Sequence, residues 1–430
     1  VGARPGEGVV LLWASAYYFL VLAAYYVIRP IRDDMGAASG VENLAWLFTG
    51  TLLGMLLVHP LYTSLVSRLT RRRFISWTYR FFILNLVVFF LVFRSVDAAQ
   101  AIWVGRVFFI WTSVFNLFVV SVFWSLITDL FRPGQGKRLF GVVAVGGTIG
   151  AMLGATITTS LVGVLGAVNL LLVSAFILEL AVRASHVLDG AEADMRAAEV
   201  ESGESQAAAD TVDASKEIIG GGVMDGIKHI MSSPYLLGIA TLILFYTISS
   251  TFLYFQQVDI VSRVFGDDSA RRTQVFGSMD IAVNVLTLVA QLFLTGRVMK
   301  WFGVGFALAF LPVVTLLGFG LLSLAPVLWV LIGFQVLRRA GNFAIQRPGR
   351  EALFTVLPRT DKYKAKNFTD TFVYRLGDQV GAWSYSGMAI FGLGLSALAF
   401  TMVPLSAAWL VLTLWLGGQY RRREKARRGP

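Results

Sequence analysis

Residues 24–36 read AYYVIRPIRDDMG and close an almost wholly apolar N-terminal stretch. Arg29, Arg32 and Asp33 are spaced i, i+3 and i+4, which puts them on one helical face. Pro30 removes a backbone donor, crowds the carbonyl one turn back near Tyr26, and disfavours the α region at Arg29. These residues predict a kinked or broken helix whose free carbonyls lie beside two guanidinium groups. Such a broken helix in a membrane cavity is suited to holding an anion. The alternative is a helix that ends at the outer water line, with Arg29, Arg32, Asp33 and Asp34 solvated.

The chain around this segment has the composition of a membrane protein. It is 430 residues long, 56% hydrophobic and 15% charged, with a mean hydropathy of +0.68. A soluble domain carries about 25% charged residues. Apolar runs long enough to cross a ~30 Å hydrocarbon core recur along the whole sequence. Twelve spans are expected, near 9–29, 45–66, 74–93, 101–128, 139–163, 166–184, 235–257, 275–298, 302–324, 326–346, 367–391 and 395–418. The first run is followed by charges rather than a small-residue cleavage site and reads as a span. There are no cysteines, and His59, His186 and His229 lack metal-ligand spacing, so thiolate chemistry, disulfides and a zinc site are not expected. The net charge of +11 lies largely in short loops, the pattern of membrane topology rather than of nucleic-acid binding.

Lysine and arginine alternate between the two sides. Arg68, Arg71–Arg73, Arg132, Lys137, Arg138, Arg297, Lys300, the loop 347–366 and the tail RRREKARR share one side. The positive-inside rule makes that side cytoplasmic, with both termini. Residues 1–184 are expected to form a six-helix bundle, 185–232 a largely disordered cytoplasmic linker, 233–418 a second bundle, and 419–430 a basic tail. The halves echo each other: RPGQGKRLF (132–140) and RPGREALF (347–354) leave the fourth and tenth spans, and SRLTRRRF (67–74) has a looser counterpart in GRVMKWFG (296–303). A duplicated six-helix unit follows. The turn between spans two and three is similar to a degenerate form of the loop typical of major facilitator transporters.

A charge at the bilayer centre costs about 2.5–3.5 kcal/mol on insertion scales, so such residues face a cavity or a partner. Arg80 in span three and Arg106 in span four are within reach of the interfaces by snorkelling. Arg338 and Arg339 lie deep in span ten. Asp280 and Asn284 sit one turn apart in span eight, and Asp370, Arg375 and Asp378 follow in span eleven. Arg375 and Asp378, i and i+3 in YRLGDQVG, read equally as a structural ion pair or a substrate contact. The series Gly141, Gly146, Gly147, Gly150 and Gly154 reads as close helix packing, because it lacks the strand–loop–helix context of a nucleotide loop.

Several stretches resemble the ATP/ADP translocase family of plastids and intracellular bacteria, nucleotide antiporters with a facilitator-like twelve-helix fold. The resemblance rests on Arg29, Arg32 and Asp33 at the end of span one, SVFWSLITDLF (121–131), Lys137–Gly147, SSPYLLGIATL (232–242) and residues 366–382. Three positions depart from it: WTSVFN (111–116) and Tyr254 stand where the family has acids, and Asp378 where it has a lysine. The resemblance implies nucleotide exchange, with Arg29 and Arg32 as the carried-over binding residues.

The residues and the resemblance together predict an all-α, polytopic, major facilitator-like protein of two pseudo-symmetric six-helix bundles. Its expected place is the bacterial inner membrane, as a monomer without cofactor. The expected solute is a small phosphorylated anion, a nucleotide or related metabolite, carried by alternating access and exchange. Arg29, Arg32 and one of Arg338 and Arg339 would hold the anion, with Arg80, Arg106 and Arg375 in support; guanidinium meets two phosphate oxygens at once. Tyr18, Tyr25, Tyr254 or Trp124 would stack on a base, or simply pack. Asp33, Asp280 and Asp378 would balance the arginines or carry a coupling proton. Two alternatives stay open: a proton-coupled facilitator for another solute, and a non-transporting interaction protein that holds anionic lipid or a partner through loop 347–366 and the tail. An enzyme is not expected, since no nucleophile–base pair or metal set is present.

Overall fold

A computed structural model describes residues 7–68, 71–131, 133–201, 233–357, 366 and 368–428. Among these the chain is helical throughout and contains no strand. That is the outcome for backbone in lipid, where each N–H and C=O must be satisfied within its own segment. In order the helices are α1 (Glu7–Ala38), α2 (Leu44–Arg68), α3 (Arg71–Ser95), α4 (Ala98–Leu130), α5 (Pro133–Leu165) and α6 (Ala167–Glu201). They continue with α7 (Pro234–Phe265), α8 (Ser269–Phe293), α9 (Gly303–Leu324), α10 (Leu328–Gly341), α11 (Tyr374–Ile390) and α12 (Leu395–Arg428).

Ten of the described helices are long and apolar enough to cross a membrane. The other two expected spans, ten and eleven, are helical but interrupted. A π-helical turn, Asn342–Gln346, extends α10 into a short helix Arg347–Leu353, and another, Thr369–Val373, leads into α11. Pro133 and Pro348 each stand in the first turn of a helix, where a missing N–H costs least, so the two RPG repeats do the same local work. The stretch 185–232 expected as a linker is helical over its described part. Residues 185–201 continue α6, because alanine, glutamate, methionine and arginine all favour helix. Residues 202–232 lie outside the described set, as do 69–70 and 358–365.

The described residues pack as two units. One draws on residues 1–39, 50–218 and 267–281; the other on 40–49, 219–266 and 282–430. Helices α2 and α8 therefore each begin in one unit and finish in the other, which a boundary drawn at the linker does not anticipate.

In the first unit α1 is the central helix. Val10, Ala14, Tyr17, Val21, Ala24, Ile28 and Ile31 are all buried, packed chiefly against α5, α6 and α4. The glycines of α5 allow this approach. A Cβ on Gly146 would meet the Ser15 carbonyl at 2.8 Å, and one on Gly150 or Gly154 would strike the backbone carbonyls of Phe19 or Ala23. Hydroxyls bind the paired helices: Thr158 Oγ1 donates to the Val27 carbonyl (2.7 Å) and Ser174 Oγ to that of Ala24 (2.8 Å). The expected break at Pro30 does not occur, and α1 continues to Ala38. Packing on α5 and α6 along its length offsets the hydrogen bond that Pro30 removes.

In the second unit α9 packs along α12, and α7 along α11 and α12. Tyr235, Ile239, Ile243, Leu308, Leu311, Trp409 and Leu416 form the core. Gly377 and Gly381 bring α11 against Thr247, Ile248 and Thr251 of α7. Large apolar side chains lie outside in both units, among them Leu57, Val164, Leu324, Trp329 and Ile390. This apolar exterior faces lipid.

The glycine contacts predict a sharp contrast. Gly150→Ala forces a methyl group into a backbone carbonyl and is expected to cost about 1–3 kcal/mol, as overpacking does. Gly141→Ala, with open space at that position, is expected to be neutral. Thermal unfolding of the detergent-solubilised protein distinguishes the two.

Candidate functional site

Of the charges at the end of α1, the two aspartates are buried and the two arginines half-buried. Asp33 and Asp34 are each 4% exposed, so a water-line cap does not describe them. Arg29 Nη1 lies 3.0 Å from Asp280 Oδ1 on α8, within the first unit. Its guanidinium also sits 5.2 Å from the Tyr26 ring centroid. Arg32 reaches Asp33 at 3.6 Å and lies over the Phe109 ring at 4.2 Å. Arg272 Nε donates to Asp34 Oδ1 at 2.6 Å, and Ser269 donates to the other carboxylate oxygen. Three arginines thus meet three aspartates, and the cluster carries no net charge.

Arg272 is a member of the site that its local sequence does not announce. Its place in a short loop suggests a topology signal, whereas it is 5% exposed and belongs to this cluster. Residues 267–281 begin a helix that packs in the first unit, a tertiary fact with no local signature.

The second-rank arginines stand apart. Arg80 is exposed and pairs with Glu179 of α6 at 3.3 Å. Glu179 also holds Arg183, and sequence reasoning passed over it because it lies near the end of an apolar run. Arg106 donates to the Ser39 carbonyl at 3.5 Å and covers the Trp103 ring. Arg375 pairs with Asp378 at 3.2 Å within α11. Asp370 is exposed in the π turn before it, and Asn284 is buried on α8.

Arg338 is different. It is 2% exposed and held in the second unit by neutral oxygens, with the Tyr246 ring centroid 5.2 Å from its guanidinium. Nη1 donates to Ser250 Oγ (2.8 Å), Nη2 to Ser249 Oγ (2.8 Å) and the Tyr246 carbonyl (3.1 Å), and Nε to Thr315 Oγ1 (3.3 Å). Among the described residues no carboxylate pairs with it. One N–H on Nη1 has no partner there either, given the donors a guanidinium carries. Ser250, which takes the other Nη1 donor, and Tyr246 are the half-buried members of the group. Arg339 is half-buried on the next position. One turn along α10, Gln335 bonds Gln257 of α7. The polar faces of α7 and α10 therefore meet from Tyr246 to Gln257, and the π turn Asn342–Gln346 follows directly. Such wide turns recur at functional sites. The serines and Gln257 sit at helical intervals on α7, a polar stripe legible in sequence once α7 is known to face α10.

The aromatic candidates use their faces on other rings. Tyr18 stacks on Phe123 with centroids 4.1 Å apart and meets Trp124 edge-on. Tyr25 packs on Tyr26 and Phe115, and Tyr254 on Phe48. Among the described residues no group of histidine, aspartate and glutamate is arranged to hold a metal ion.

The Asp34–Arg272 pair yields a stability prediction. Removing one partner of a buried pair strands the other charge, at about 3–5 kcal/mol. Arg272→Leu is expected to lower the unfolding temperature sharply, and adding Asp34→Leu to recover most of the loss. Equal damage from the single and double variants would show that the pair does not carry the stability.

Known proteins with this architecture are membrane transporters. In solved structures the fold matches the inward-open xylose transporter XylE from E. coli (12% identity, 95% of each chain, TM-score 0.61). It also matches the nucleoside transporter NupG (12%, 95% of this chain and 98% of that one, TM-score 0.60). A bacterial homologue of the human lysosomal transporter Spinster aligns over 98% of both chains at 14% identity and TM-score 0.56. Among curated relatives, ADP,ATP carrier protein 2 of Chlamydia pneumoniae is 22% identical over 220 residues, 45% of this chain. The match spans about two-fifths of that protein's own length (41%). The Major Facilitator Superfamily profile matches residues 11–348. The chain is an integral membrane protein and belongs to the Major Facilitator Superfamily.

Proposed function

We propose that this transporter carries a small anionic, phosphorylated solute, a nucleotide or a related metabolite, and does so by exchange. The observation that carries the reading is Arg338, a guanidinium buried inside an apolar span with hydroxyl and carbonyl partners and no acid among the described residues. A buried cation is costly unless paired. A phosphate oxygen arriving beside Ser250 takes the remaining Nη1 donor and supplies the missing negative charge. Charge-assisted hydrogen bonds of this kind are about twice as strong as neutral ones.

The neutral cluster of Arg29, Arg32 and Arg272 with Asp280, Asp33 and Asp34 has a different part. Its arginines bind an anion only when an aspartate gives way, so Arg29 and Arg32 act conditionally; in the second unit Arg375, paired with Asp378, is conditional in the same way, and Arg339 is a further phosphate contact. Likeness to a carrier named for ADP and ATP supports the nucleotide class. Exchange follows from the same balance, because an emptied site leaves Arg338 uncompensated and return without a counter-solute is slow. The excess of lysine and arginine on one side supports cytoplasmic termini in a bacterial inner membrane.

The test is ligand-induced thermal stabilisation of the purified protein with nucleotides, sugar phosphates and inorganic phosphate. A ligand at a hundred times its dissociation constant adds roughly 2.7 kcal/mol to the folded state. Arg338→Gln is expected to keep the fold and lose the shift, while Arg338→Lys retains part of it. A folded Arg338→Gln protein that shifts as fully as the parent refutes the assignment.

A proton-coupled reading draws on Arg29–Asp280 and Arg375–Asp378, where protonating the carboxylate releases its arginine. Solute uptake driven by a pH gradient into liposomes lacking internal nucleotide would favour it.

A further inference from the structure

Helix α12 is longer than a span. Its 34 residues extend about 51 Å at 1.5 Å per residue, against a hydrocarbon core of ~30 Å. Its two faces are continued differently at the protruding end. Leu398, Met402, Trp409 and Leu416 form the buried face, at intervals of four and seven residues. Seven residues further, Arg423 stays on that side and places its guanidinium 4.5 Å from the ring centroid of Tyr235 at the start of α7.

The opposite face presents Phe400, Val411 and Leu414, all exposed. The same helical intervals lead from Leu414 to Arg421 and Lys425, with Arg422 beside them. All three cations are exposed. A face that meets acyl chains therefore turns cationic where the helix leaves the hydrocarbon.

Neighbouring residues reinforce the same level. Gly417 of α12 touches the backbone of Gly305, near the start of α9. The short helix Thr295–Trp301, immediately before α9, exposes Arg297, Lys300 and Trp301. Tryptophan favours the headgroup layer, and the cations beside it complete a basic surface directly above lipid-facing rings.

We infer that this end of α12 is a docking surface for an anionic phospholipid, with the headgroup phosphate held by Arg421, Arg422 and Lys425 and the acyl chains along Leu414, Val411 and Phe400. The apolar stripe that continues into the cations selects lipid over a free phosphate. Arg423, also exposed, lies over the Tyr235 ring on the other side of the helix and is left out of the headgroup contact. The surface is independent of the Arg338 site and of the solute proposed for it.

Lipid binding is measured with the purified full chain in detergent, by titrating phosphatidylglycerol, phosphatidylcholine or inorganic phosphate and following thermal unfolding and lipid retention in native mass spectrometry. Phosphatidylglycerol is expected to stabilise and to remain bound, phosphatidylcholine and inorganic phosphate far less. Each neutralised cation is expected to weaken phosphatidylglycerol about five-fold, and Arg421→Gln, Arg422→Gln and Lys425→Gln together on the order of a hundredfold. Should the triple variant not fold, Arg421→Gln and Lys425→Gln singly carry the test. Unchanged phosphatidylglycerol affinity in the folded variants, equal stabilisation by phosphatidylcholine, or stabilisation by inorganic phosphate that the Arg421, Arg422 and Lys425 variants abolish would each overturn the proposal.

Discussion

A charged side chain inside the membrane has no water to stabilise it, and the need to give each one a partner governs the interior of this protein. The end of α1 illustrates the constraint. Four charged residues lie within a single turn and a half, and they persist because α8 brings Asp280 to Arg29 and Arg272 to Asp34. Without that helix the segment would carry stranded charges. With it, the cluster is neutral and cross-links two helices distant in sequence.

The same constraint gives Arg338 its meaning. Hydroxyls and a carbonyl satisfy most of its donors but not its charge. Serines and a threonine suit this purpose: they hold the guanidinium in place without neutralising it. An aspartate there would make a second closed pair like Arg29–Asp280. The two units thus contain two kinds of cationic site, one paired with aspartates and one held by neutral groups. A carrier needs a site of the second kind, since a solute cannot be recognised by a charge already cancelled.

Close packing makes these arrangements possible. Lipid offers helices no hydrophobic reason to associate, so surface fit and hydrogen bonds must hold them together. Small residues let backbones approach: Gly150 and Gly154 of α5 beneath Phe19 and Ala23, Gly377 and Gly381 of α11 along α7. With α1 gripped along its length, Pro30 is carried within a continuous helix. The proline still lacks its donor, yet a missing hydrogen bond is a smaller term than the packing lost if the helix broke.

Much of this protein was legible in one dimension. The membrane class and the helical fold follow from apolar runs of spanning length, because the thickness of the bilayer acts on local sequence, while the facilitator architecture was legible through the repeated halves and the resemblance of particular stretches to known families. The glycine stripe of α5 was legible for the same reason, being a spacing on one helix. The intramembrane charges could be named, but not sorted. Whether Arg29 was solvated, paired or open depended on Asp280, some 250 residues away in sequence. That Arg272 was interior, that Arg338 met neutral oxygens and a tyrosine ring rather than an acid among the described residues, and that α2 and α8 each divide between two units were likewise decided by packing. Local sequence encodes the period and polarity of a helix. Which helix stands opposite a given charge is a property of the whole chain, and in a medium without water that neighbour determines whether the charge is structural or free to bind.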